Sequence, residues 1–223
     1  AGLWMEKRGY SAGKTSVVAW PVGLIAAAAA VALLALFLIG STLAGPGPGE
    51  TTGPPHAPWY WAVGIALAVG VALSATGFCA VAAGRQAFVG PRRMLLGAVL
   101  LIVGYGVATL ALGDWKLGFA GQPAAHDDWL WNILAMALVG LTGVLAGGCP
   151  VRQIVLAGEG NGDGFVTVIG LLVGGALAHN LGLASTGAGT TPAGQWAVIL
   201  GLALSVAYGL TMVSKRDQGA ATA

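Results

Sequence analysis

The fold is decided by Trp129-Leu130-Trp131-Asn132-Ile133-Leu134-Ala135-Met136-Ala137-Leu138-Val139-Gly140-Leu141-Thr142-Gly143-Val144-Leu145-Ala146-Gly147-Gly148-Cys149-Pro150, a run without Asp, Glu, Lys or Arg. A helix needs roughly 20 predominantly apolar residues to cross the hydrocarbon core of a bilayer. This run supplies a span over 129–146, then two glycines and a proline interrupt it. Working outward, similar runs cover 17–44, 59–83, 94–112, 165–183 and 196–213. They are too long for strands and lack the period-two alternation of a lipid-facing barrel. The expected fold class is all-α: a polytopic integral membrane protein with about six transmembrane helices.

Composition agrees. Of 223 residues, 57% are apolar and only 8% charged, with 38 glycines and a mean hydropathy of +0.82. Soluble domains carry about a quarter charged residues, so a soluble enzyme and a disordered chain are excluded. A net charge of +2 is too small for a surface that tracks nucleic-acid phosphates. Two cysteines permit neither a disulfide framework nor a four-cysteine metal site. No His/Cys/Asp/Glu set has metal-ligand spacing, and no nucleophile–base pair stands out. The expectation is a protein without cofactor, metal or enzymatic activity.

Basic residues set the sidedness. Lys7, Arg8, Lys14, Arg85, Arg92, Arg93, Arg152, Lys215 and Arg216 fall on one side of the spans, and Lys116 alone on the other, beside Asp114, Asp127 and Asp128. Both termini are expected in the cytoplasm, with 1–16 as an N-terminal segment, 17–213 as the transmembrane domain and 214–223 as a tail. Trp59, Trp61, Trp129, Trp131 and Trp196 begin spans at the expected outer face, as an interfacial aromatic belt does. Gly140, Gly143, Gly147, Gly170, Gly174 and Gly175 read as small residues that let helices approach closely, or as lining of a path. His56 and His126 fall in expected outer loops and carry little signal.

The segment Gly147-Gly148-Cys149-Pro150-Val151-Arg152-Gln153 is unlike the other breaks. Pro150 suits the first position of a new helix, where its missing N–H costs nothing. Residues 151–157 can form two turns before Gly158 stops them. Cys149 then sits at a helix N-terminus, where free N–H groups attract anions and favour a thiolate. Arg152, one turn on, needs an anion or a carboxylate in a poorly solvated place. Glu159 and Asp163, in Gly158-Glu159-Gly160-Asn161-Gly162-Asp163-Gly164, are the nearest carboxylates; that run reads either as an ordinary turn or as a gate paired to arginine. It matches neither a phosphate loop nor a calcium loop.

A similar arrangement stands 70 residues earlier, in Gly77-Phe78-Cys79-Ala80-Val81-Ala82-Ala83-Gly84-Arg85-Gln86. It too holds a cysteine near the end of a span, followed by an Arg-Gln pair. Each cysteine alone reads equally as a small core hydrophobe. His179-Asn180 falls inside the fifth expected span, where a polar pair is either an interhelical hydrogen bond or part of a path.

At these residues the chain resembles the YeeE/YedE family of membrane proteins, which includes bacterial thiosulfate transporters, and most of all its branch associated with selenium metabolism. The resemblance rests on Lys116-Leu117-Gly118-Phe119-Ala120-Gly121-Gln122-Pro123-Ala124-Ala125-His126, on Leu130-Trp131-Asn132, and on Leu145-Ala146-Gly147-Gly148-Cys149-Pro150-Val151-Arg152-Gln153. It continues through Ala157-Gly158-Glu159-Gly160-Asn161-Gly162-Asp163 to Ala178-His179-Asn180, and covers about 53–213. It implies two related halves in which full spans alternate with short, broken or re-entrant helices around Cys79 and Cys149. Carried over by position, Cys79 and Cys149 are conduction thiols for a small sulfur- or selenium-containing anion. Arg85 and Arg152 are anion attractors, with Pro150 and Gln153 on the same path; Glu159, Asn161, Asp163, His179 and Asn180 supply a gate or supporting contacts. Members are commonly longer, so the resemblance points to a second half with one added span, completed by a missing N-terminal half or by another copy. Gln86 stands where the family often has an acidic residue. A cytosolic sulfur-carrier protein is a possible partner; nucleic acid is not.

The expected function is a permease for a thiosulfate-like anion. The alternatives are a sulfur or selenium relay or redox protein using Cys79 and Cys149 covalently, and a structural membrane subunit.

Overall fold

The computed structural model describes residues 16–38, 58–115, 118 and 126–221. Glycines and prolines cut that chain into eight α-helices, with no β-strand among the described residues. They are α1 (Trp20–Leu38), α2 (Trp59–Thr76), α3 (Ala80–Gln86), α4 (Arg93–Ala111), α5 (Trp129–Leu145), α6 (Pro150–Gly158), α7 (Gly162–Asn180) and α8 (Pro192–Ala221). Lys7, Arg8, Lys14, Lys116 and His56 lie outside the described residues, as do most of the resemblance-bearing stretch before His126 and the end of the first expected span.

Among the described residues, four stretches are long and apolar enough to cross a membrane: α4, the run Trp129–Gly158 that holds α5 and α6, α7, and Pro192–Met212 of α8. A fifth is the pair α2 and α3, bent by 46° between them. This is a multi-pass membrane protein. Five of the six expected spans are thus described, the one over 59–83 as a bent pair, and the first, 17–44, lies partly outside the described residues. The run 59–83 is not one helix, because Gly77 takes a left-handed conformation (φ +60°) that ends α2 and turns the chain. Of the first expected span the structure describes α1, 19 apolar residues up to Leu38.

The long helices keep most of their large apolar side chains outward, as lipid-facing helices do. Burial concentrates elsewhere. Among the described residues the buried apolar side chains are Cys79, Ala83, Leu141 and Cys149, and they cluster at the two helix breaks.

Element order explains why. Long helix, break, short helix, turn and long helix occur twice, as α2–α3–α4 and α5–α6–α7, with starts offset by 70, 70 and 69 residues. Each short helix packs on the long helix that follows it, α3 on α4 and α6 on α7. The short helices also cross over: α3 lies against α5, and α6 against α2. The two breaks are thereby held together. A Cβ on Gly143 of α5 would stand 2.9 Å from Val81 Cγ2 of α3, so only hydrogen fits at that crossing. By contrast, a Cβ on Gly140, Gly170, Gly174 or Gly175 would meet nothing within 4 Å. The packing expected of those four is not made among the described residues, because they face outward.

Candidate functional site

Each short helix starts at a cysteine. Cys79 and Cys149 have extended backbones (ψ 121° and 161°) and occupy the residue before the first helical turn of α3 and of α6. The preceding glycines, Gly77 and Gly147, both have positive φ and end the long helices. The chain therefore turns sharply just before each thiol, and the thiol falls where unpaired N–H groups collect.

The crossing of the breaks brings these two positions together. The Ala80 N–H donates to Cys149 Sγ at 3.3 Å, and the Cys149 N–H donates to Cys79 Sγ at 3.3 Å. Within α6 the Arg152 N–H also donates to Cys149 Sγ, at 3.4 Å. The counterpart of Ala80 in the second unit is Pro150, which has no N–H, so the donor reaching Cys79 comes from Cys149 instead. Both thiols are free and buried, 8% and 4% exposed. Neither faces lipid, and each is capped by the backbone of the other unit.

The second break carries the additional polar groups. Gln153 is 2% exposed and folds back so that its Nε2 donates to Ala146 O at 2.7 Å, satisfying a carbonyl at the end of α5. Its Oε1 is buried without a hydrogen-bond partner. Gly148 makes room for this amide: a Cβ there would stand 3.2 Å from Gln153 Nε2. Arg152 points its Nη1 toward Glu159 Oε1 at 3.8 Å, too far for a hydrogen bond, and this nitrogen too is buried without one. A buried polar atom left unpaired costs about 1–3 kcal/mol. Two of them on adjacent residues beside a thiol pair suit a site that a ligand or water completes.

The other expected site residues divide sharply. Glu159, not Asp163, pairs with Arg152; it is exposed, and its Oε1 also accepts from Ser74 Oγ of α2 at 2.6 Å. Asn161 caps α7, its Oδ1 accepting from the Gly164 N–H at 2.9 Å. Asp163 is an exposed residue of the first turn of α7. The turn 160–162 is strapped from outside by the segment before α1: the Val18 N–H donates to Gly160 O, and the Gly162 N–H to Ser16 O. Arg85 sits in the last turn of α3, six residues beyond its thiol. Gln86 has a scaffold role, its Oε1 accepting from the Met94 and Leu95 N–H groups that open α4. His179 and Asn180 are exposed in the last turn of α7, and Asn180 bonds to Ala176 O of its own helix. They lie about 25 Å along α7 from its start near α6. Sequence reasoning missed Ser74, which has no motif around it to mark it.

A separate polar cluster lies where α5 and α8 begin. Asp128 Oδ2 accepts from the Thr190 N–H at 2.8 Å and the Thr190 hydroxyl at 2.9 Å, and Gln195 Nε2 donates to Thr190 Oγ1 at 3.0 Å. The Thr190 backbone and side-chain donors hold the Asp128 carboxyl below the usual carboxylate range. Beside it is a cavity of about 110 Å³ lined in part by Trp131, Asn132, Ser185 and Gln195.

Fold and site together define a class: an all-helical, multi-pass membrane protein in which two broken helices bring a pair of free thiols, an arginine and a glutamine to one place. Comparison with family models, curated proteins and solved structures finds no match.

Proposed function

We propose that this chain is a permease of the bacterial cytoplasmic membrane for a small sulfur- or selenium-containing anion, thiosulfate-like in chemistry, and that it belongs with the YeeE/YedE family it resembles. The observation that carries this reading is the meeting of Cys79 and Cys149 at the starts of two short helices, beside Arg152 and the unpaired Gln153 Oε1. A divalent oxyanion crosses hydrocarbon only if protein groups replace its water shell. Backbone N–H groups, one guanidinium and polarizable sulfurs do this with modest affinity, and conduction requires binding weak enough to release. The burial of both sulfurs makes the present conformation, in this reading, the closed one. Passage requires the two breaks to part. The bias of basic residues supports a cytoplasmic position for both termini.

The test is uptake of labelled thiosulfate, selenite and related anions by cells expressing the chain. The reading predicts uptake above that of cells lacking it; no uptake of any of them overturns it.

Adjacency of the two thiols also favours a second reading, in which they relay sulfur or selenium covalently. A sulfane sulfur would pass from a persulfide donor to the Cys149 sulfur, leaving the donor as a thiol, and then to Cys79. Mass spectrometry of Cys149 after exposure to a persulfide donor separates the two readings: a trapped adduct with no anion uptake favours the relay.

A further inference from the structure

Arg152 has a counter-ion that does not fully hold it. Its Nη1 stands 3.8 Å from Glu159 Oε1, with no hydrogen bond to an acceptor among the described residues, although the atom is buried. The same carboxylate oxygen accepts a short bond of 2.6 Å from Ser74 Oγ. A hydroxyl bonding to an ionised oxygen at that distance is a strong, charge-assisted interaction. The serine therefore tethers this oxygen of the glutamate, which at 3.8 Å offers the arginine charge without a directed bond. Two elements fix this geometry independently. Ser74 is on α2, one turn before the left-handed Gly77, and Glu159 follows the last residue of α6, the short helix that packs against α2.

We propose that Ser74 and Glu159 form an adjustable lock on Arg152: Glu159 is the counter-ion that an incoming anion displaces, and Ser74 sets how readily it yields. The inference rests on the permeation reading for its ligand, a small oxyanion, but the lock is a property of the three side chains alone. By holding Glu159 back, Ser74 keeps Arg152 neutralised at a distance yet short of one hydrogen-bond partner. An oxyanion supplies that partner and competes with a single, tethered carboxylate. Without the tether the carboxylate closes on the guanidinium and competes harder; without the carboxylate's charge the guanidinium is open.

This gives opposite signs for two variants that both weaken the same Ser74–Glu159 bond. The availability of Arg152 is read from its rate of modification by phenylglyoxal on the purified protein, mapped by mass spectrometry and needing no anion. Glu159→Gln is expected to raise the rate several-fold and Ser74→Ala to lower it, while Ser74→Thr, which keeps the hydroxyl, stays near wild type. Binding of thiosulfate, followed by calorimetry, should move in parallel: tighter in Glu159→Gln and weaker in Ser74→Ala. A merely structural bond would move both variants in the same direction. Rates that shift together, or not at all, overturn the lock. The expected ordering of phenylglyoxal rates with no thiosulfate binding in any variant supports the lock and counts against the permeation reading, so the two fail separately.

Discussion

The two helix breaks share a backbone design and differ in what they add to it. Both end a long helix on a positive-φ glycine, place a cysteine before a short helix and return through a turn into another long helix. At the first break the neighbouring polar side chain is spent on scaffold: Gln86 caps α4. Phe78, in the place corresponding to Gly148, lies over Gly97 of α4. At the second, Gln153 turns inward with one oxygen unpaired, Gly148 leaves room for it, and two N–H groups rather than one point at the sulfur. The contrast teaches that one copy of the unit spends its glutamine on scaffold while the other leaves polar atoms buried and unpaired. Helix caps and packing residues lower free energy fully in the resting protein, whereas unpaired buried atoms lower it only when something arrives.

The comparison breaks most visibly at the two glutamines. Gln153→Ala removes the inward acceptor and the tie to Ala146 O; uptake of labelled thiosulfate should fall at least about tenfold, the scale of a lost buried polar contact. Gln86→Ala should leave uptake near wild type and lower stability by about 1 kcal/mol, the usual cost of a lost helix cap, measured by thermal unfolding in detergent. Equal losses of uptake would erase the distinction between the breaks. The next effect concerns the corresponding positions Gly148 and Phe78. A methyl group in Gly148→Ala presses on the buried amide and should cost about 1–2 kcal/mol together with uptake, whereas Phe78→Ala should cost similar stability through lost packing and spare uptake.

A smaller effect sharpens the asymmetry at the donors. Pro150→Ala restores the N–H that Ala80 has in the first unit, giving Cys79 a second donor; stability should change by less than about 1 kcal/mol. Maleimide labelling of Cys79 should slow relative to Cys149 in the same sample. The smallest effect lies away from both breaks. Because Thr190 depresses the Asp128 carboxyl below its ordinary value near 3.8, its contribution is present above that value and is lost as pH falls through the lower folded one. Asp128→Asn should therefore reduce thermal stability slightly at neutral pH and not at all in strong acid. Uptake should be unchanged.

Much of this was legible in the sequence, for definite reasons. The apolar runs 94–112, 129–146 and 165–183 match α4, α5 and α7 closely, since only helices satisfy backbone polar groups in lipid. The short helix after Cys149 was readable because proline and glycine bracket it. The break around Cys79 was expected only through the family resemblance; the run itself does not mark it, since one glycine within an apolar run is common and nothing in 78–83 is polar. Pairing of Arg152 with Glu159 rather than Asp163 depends on how α6 ends, seven residues from the arginine, and on Ser74, which comes from another helix. The role expected for His179 and Asn180 rested on their lying within a span; α7 ends at Asn180 and puts them at its rim.

The most direct measurement is thiosulfate uptake into liposomes reconstituted with equal, verified amounts of inserted wild-type and Cys149→Ala protein. Passage along the paired sulfurs predicts uptake by the wild type and its loss in the variant, with helical content unchanged by circular dichroism. Undiminished uptake by a folded Cys149→Ala protein would contradict it.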